Sequence, residues 1–163
     1  MRSVETQNWL SAISLTLTIP DICGALETPN ARNGVRYKRW FTEWMEPNYT
    51  IVLPKIGPHV FLSADNCWAL RCSYLHAGST EIRPQNIELA LRAFHFIEPP
   101  NNGNIVHMNQ LADGLLQIQS DKFCEEMITA VKEWQACIKD KPEIQARMSK
   151  LLQIHNYVPM IKY

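Results

Sequence analysis

Apolar positions recur at helical spacing along much of the chain. Leu10, Ile13 and Leu17, with Trp9 beside them, predict an amphipathic helix over residues 4 to 18. Pro20 is expected to stop it, and "PDICGALE" then opens a short second helix with the proline near its first turn. "TPNARNG" has the composition of a loop. In "GVRYKRWFTEWME", residues 34 to 46, Tyr37, Trp40, Phe41 and Trp44 share one helix face, while Arg36, Lys38, Arg39 and Glu43 fall elsewhere. Pro47 ends that helix. "NYTIVLPKIGPHVFL" carries two prolines and a glycine and suits an ordered loop better than a strand.

Residues 63 to 79, "SADNCWALRCSYLHAGS", have a helix start and a helix stop. The Ser63 hydroxyl can accept a free amide of the first turn, Asp65 suits the positive end, and Gly78 tolerates the left-handed backbone of a helix stop. Cys67, Leu70, Tyr74 and Leu75 form its apolar side. "IELALRAFHFIEPP" fits helix or strand, and its aromatic pair and double proline favour a strand at about 87 to 97. "IVHMN" and "GLLQIQ" then suggest a small hairpin or sheet. Ser120 is expected to cap a long helix with a stripe of Phe123, Met127, Val131, Trp134 and Ile138. Pro142 breaks it, and a last helix at about 142 to 155 shows Ile144, Met148, Leu151 and Leu152. The pattern predicts a mainly α fold: an antiparallel bundle of five or six helices with a small β-hairpin or sheet insertion, as one domain over 1–163.

Composition narrows the function. The chain has 163 residues, 46% of them apolar, which is enough for a sizeable core. Sixteen basic and sixteen acidic side chains cancel, so bulk charge does not draw the protein to nucleic acid, and any such binding needs a local patch. Arg32, Arg36, Lys38 and Arg39, interleaved with Tyr37 and Trp40, are the local basic cluster and the candidate RNA-binding residues. The bland alternative is the solvated face of a helix whose aromatics are core. The five cysteines are odd in number and include no CxxC pair, which favours buried, reduced thiols and a cytoplasmic setting. No signal peptide is apparent, and no run approaches the ~18 apolar residues of a membrane span. His95 and His107 could meet across a hairpin, yet no carboxylate or thiolate stands at ligand spacing, so neither a metal nor another cofactor is expected.

"LRCSYLHAG" resembles the signature of the HEPN domain, an all-helical family rich in RNases, in which an Arg is followed four to six residues later by a His. Those positions here are Arg71 and His76. The chain is also similar to uncharacterised bacterial proteins that share this block and "NIVHMN". The HEPN resemblance implies a metal-independent endoribonuclease with a composite site at a homodimer interface. Arg71 would hold the scissile phosphate and His76 would move the proton. On a regular helix the two side chains point about 140° apart, so a shared site needs a loosened helix end or a second chain. Cys72 stands where active members often carry a polar residue after the Arg. That departure, with the zero net charge, supports the alternative of a non-catalytic helical dimerisation or interaction module. In that reading, Arg71 is solvated and His76 complements the C-terminal dipole of its helix.

Overall fold

A computed structural model describes residues 2–75, 89 and 92–152, with Leu75 described by its backbone alone. Among these the fold is mainly helical. The helices are α1 (Arg2–Glu5), α2 (Trp9–Glu27), α3 (Asn33–Trp44), α4 (Ala64–Leu75), α5 (Ser120–Cys137) and α6 (Pro142–Met148). Two small sheets complete it. β1 (Thr50–Leu53) and β2 (Gly57–Val60) form an antiparallel hairpin. β3 (Phe94–Ile97), β4 (Asn109–Gln110) and β5 (Leu116–Gln119) form a sheet of order β3-β5-β4, in which β3 runs parallel and β4 antiparallel to β5.

α2 is the longest helix, and it runs straight through Pro20 where the sequence predicts a stop. Pro20 removes one helical hydrogen bond. Packing outweighs that loss, because Ala12, Ile13, Thr16 and Leu17 before it and Cys23, Gly24 and Leu26 after it are all buried. The Asn8 side chain caps the helix by accepting the Ser11 N–H at 3.3 Å. Once continuous, α2 is long and apolar enough to cross a membrane by length and composition, a test that a core helix also passes. Gly24 marks its closest approach to α3. A Cβ there would lie 2.6 Å from the Arg36 carbonyl oxygen, so only glycine lets the two backbones meet.

Of the face its spacing predicts, α3 buries Tyr37, Trp40 and Phe41, and Trp44 is half-buried. α5 buries Phe123, Cys124, Met127, Ala130 and Trp134, and these residues join α2, α3 and α4 in one hydrophobic core. The Trp134 ring meets Trp40 edge-on, with centroids 6.5 Å apart, and its indole N–H donates to Glu27 Oε1 at 2.8 Å.

Four further expectations change. The stretch around Pro54 is a hairpin and not a loop. Pro58 sits opposite Val52 in a two-stranded sheet, and edge strands tolerate a missing N–H. The strand expected from about 87 begins only at Phe94, and Leu89, Arg92 and Ala93 before it are helical. Gln119 is the N-cap of α5, and the Ser120 hydroxyl donates instead to the Ile97 carbonyl, tying the helix start to β3. The last helix ends at Met148, so Leu151 and Leu152 lie outside it and are exposed.

Candidate functional site

The start of α4 behaves as its sequence predicts. Ser63 Oγ accepts the Asn66 N–H at 3.2 Å, and the Glu46 carboxylate takes the Ala64 N–H at 2.7 Å. This fixes α4 beside α3. Trp68, on the first turns of α4, lies against Gly34 on the first turn of α3, and a Cβ on Gly34 would stand 3.2 Å from the indole. Arg71, one turn further on, places its guanidinium 4.9 Å from the Trp68 ring centroid, a cation–π distance.

Between these helix ends opens a pocket of about 630 Å³, lined by Arg32, Asn33, Gly34, Val35, Lys38 and Trp68. Its floor is the N-terminus of α3. No side chain caps this helix, and the Asn33 and Gly34 N–H groups have no acceptor among the described residues. Unspent amides and the helix dipole make such a terminus attractive to anions. At the rim, Lys38 pairs with the exposed Asp65 at 2.9 Å.

The four residues of the predicted basic cluster therefore part company. Arg32 and Lys38 line the pocket. Arg39 is exposed and does not line it. Arg36 turns toward α2, where its Nε lies 3.8 Å from Asp21 Oδ1. Arg71 also pairs with Asp21, donating from Nη2 to Oδ2. One carboxylate thus serves two guanidiniums, with side-chain exposures of 14% for Asp21, 19% for Arg36 and 12% for Arg71. The cluster is under-bonded: Asp21 Oδ1, Arg36 Nε and Arg71 Nε are sealed from solvent without a hydrogen bond. The close approach at Gly24, one turn along α2, helps bring Asp21 to both arginines. His76, the other half of the Arg71 pair, lies outside the described residues.

A second polar network was not visible in the sequence. Tyr49, fully buried, donates its hydroxyl to Glu126 Oε2. His107 Nε2 sits 3.2 Å from Glu126 Oε1, near enough to pair but not aligned for a hydrogen bond. His107 Nδ1 accepts the Gln119 N–H at 3.2 Å, which assigns the ring proton to Nε2, on the Glu126 side. The sequence offers His95 as a residue that could meet His107 across a hairpin. His95 stands exposed on β3, and no group of three or more potential metal ligands occurs among the described residues. Desolvation, then the Glu126 carboxylate, raises the Tyr49 pKa well above its ordinary value. Tyr49 therefore stays a neutral donor.

Cys23, Cys67, Cys72 and Cys124 are buried, Cys137 is exposed, and none of the five forms a disulfide. Burial pushes the Cys23 and Cys67 thiols up from 9.0 to about 12, with the Glu27 charge adding to the effect at Cys23. Tyr37, sealed beside Cys67, is raised too, chiefly by desolvation. Below pH 9 the thiols are protonated in both folded and unfolded chains and have no effect. Above it the unfolded chain loses protons that the folded chain keeps, so each thiol removes about 1.4 kcal/mol of stability per pH unit. The expected result is a steep fall in the urea midpoint between pH 9 and 11. A flat profile over that range would show that these groups are not held neutral by the fold.

No protein-family model, no curated protein and no solved structure matches the chain.

Proposed function

We propose that the protein is a helical module that binds single-stranded RNA on the face formed by the start of α3 and by α4. The observation that carries this reading is the pocket that joins Arg32 and Lys38 to an indole wall over an uncapped helix start. Cationic side chains around unspent helix-start amides are what a flexible polyanion needs: they supply charge for the phosphates, and the mostly buried indole gives the pocket a fixed apolar wall. The binding is local, in keeping with the zero net charge.

The test is a fluorescence-anisotropy titration with a labelled single-stranded RNA at several salt concentrations. Affinity should fall with salt at a slope of about 0.7 per phosphate contact. Arg32→Ala and Lys38→Ala should each weaken binding several-fold, and Arg39→Ala should matter less. The proposal fails if no binding occurs at low salt, or if the Arg32 and Lys38 variants bind as wild type does.

One observation favours a second step, cleavage. Arg71 stacks on Trp68, the wall of the same pocket, so the arginine of the HEPN-like pair adjoins the RNA-binding face. In that step Arg71 would leave Asp21 for the scissile phosphate, and His76 would move the proton, in a homodimer of the 18.8 kDa chain. Cleavage should survive a chelator and leave 2′,3′-cyclic phosphate ends. His76→Ala should slow it on the order of a hundredfold, the scale of a lost general acid or base. Binding without cleavage would leave the module non-catalytic.

A further inference from the structure

We infer that the pocket at the start of α3 is a receptor for the terminal phosphate of a phosphorylated RNA end. This rests on the RNA-binding reading and specifies what the pocket selects. Three observations carry it. First, the space is about 630 Å³, within the ~300–1,000 Å³ of pockets that take one small ligand. It is large enough for a single terminal nucleotide.

Second, its donors suit a dianion. The Asn33 and Gly34 N–H groups are unspent, the α3 dipole points its positive end into the space, and Arg32 and Lys38 stand around it. Behind the Trp68 wall stands Arg71, which shares the Asp21 carboxylate with Arg36, so among the described residues this ion cluster holds two cations to one anion. The exposed Asp65, paired with Lys38, is the other carboxylate at the rim. An internal phosphodiester brings one negative charge. A terminal phosphate monoester brings close to two at pH 7, because its second proton leaves near pH 6.

Third, Trp68 is 93% buried by its 7% exposure, yet its indole N–H has no acceptor among the described residues. It differs from the Trp40 and Trp44 N–H groups, which are sealed without partners inside the fold. Trp68 is a wall of the pocket, and its Nε1 lies 3.3 Å from the point a Cβ on Gly34 would occupy, so the indole nitrogen stands beside the α3 start. A Cβ on Gly34 would press on the indole at 3.2–3.3 Å, so glycine eases the packing of Trp68 on the α3 start.

The experiment compares one short single-stranded RNA in three forms: 5′-phosphorylated, 3′-phosphorylated, and with hydroxyls at both ends. The intact chain is titrated with each and anisotropy is read. A phosphorylated form should bind about tenfold more tightly at pH 7.5 than the hydroxyl form. That preference should shrink at pH 5, where the terminal phosphate has regained a proton. The 5′ and 3′ forms show which end enters. Arg32→Ala with Lys38→Ala, both at the surface, should abolish the preference while the circular dichroism spectrum is kept. Equal affinity for all three RNAs overturns this inference and leaves RNA binding standing. A preference that persists in the double variant also overturns it, by placing the phosphate elsewhere. No binding of any form removes both readings.

Discussion

Asp21→Ala is expected to lower the unfolding free energy by about 3–5 kcal/mol, the usual cost of removing one partner from a buried ion pair. Two guanidiniums would remain at the α2–α3–α4 junction with no carboxylate, and three of the cluster's polar atoms already lack hydrogen bonds there. For a chain of this length the melting temperature should drop by roughly 10 °C. Asp21→Asn separates the terms. It keeps acceptor oxygen and size but loses the charge, and it should recover only part of the deficit. The outcome also weighs the two roles of Arg71. If Asp21→Ala unfolds at the wild-type temperature, the pairing contributes nothing to the fold, and Arg71 is free for other work.

Trp134→Ala should cost about 3–5 kcal/mol as well, by a different route. Its side chain is almost wholly buried in the core and meets Trp40 edge-on. Truncation leaves a cavity bounded by α2, α3 and α5, and it strips Glu27 of its donor. Trp134→Phe isolates the second term, since it retains a ring but not the N–H. A charged acceptor that loses its donor should cost about 1.5–3 kcal/mol on its own. Chemical denaturation of the three proteins decides the matter. An alanine variant within 1 kcal/mol (about one methylene's worth of burial) would mean that the junction collapses around the gap.

Helix faces were legible in the sequence because they are local. Tyr37, Trp40 and Phe41 repeat at helical spacing and are buried as a set. On α5 the stripe was nearly right, but Val131 is only half-buried and Ala130 takes a core position. The reading of α2 failed because Pro20 is a local stop signal and the packing that overrides it comes from elsewhere in the chain. The β1–β2 hairpin was hidden by Pro54, which lies in its turn, and by Pro58, which only an edge strand tolerates.

The site was legible in halves. Arg32 and Lys38 belong to an evident basic cluster, but Trp68 reaches them only through tertiary packing. Asp21 was missed as the partner of Arg36 and Arg71. Its signal was present all the same: a lone acid in the apolar run "LTIPDICGAL" is seldom buried without a cation.

The central place of α2 has a consequence for synthesis. Several of its contacts are made with residues far along the chain. Thr16 bonds Cys124, 108 positions later; Glu27 accepts from Trp134, 107 later; and the Leu26 carbonyl accepts from Arg147, 121 later. At ~5–20 residues per second, the ribosome needs roughly 5 to 25 s to supply these partners after α2 has emerged. Through that interval the most apolar of the described helices lacks its α5 cover, with α3 and α4 arriving only partway through. The nascent protein is therefore most prone to aggregate before Cys124 is made, and slower elongation over residues 28–123 lengthens its exposure.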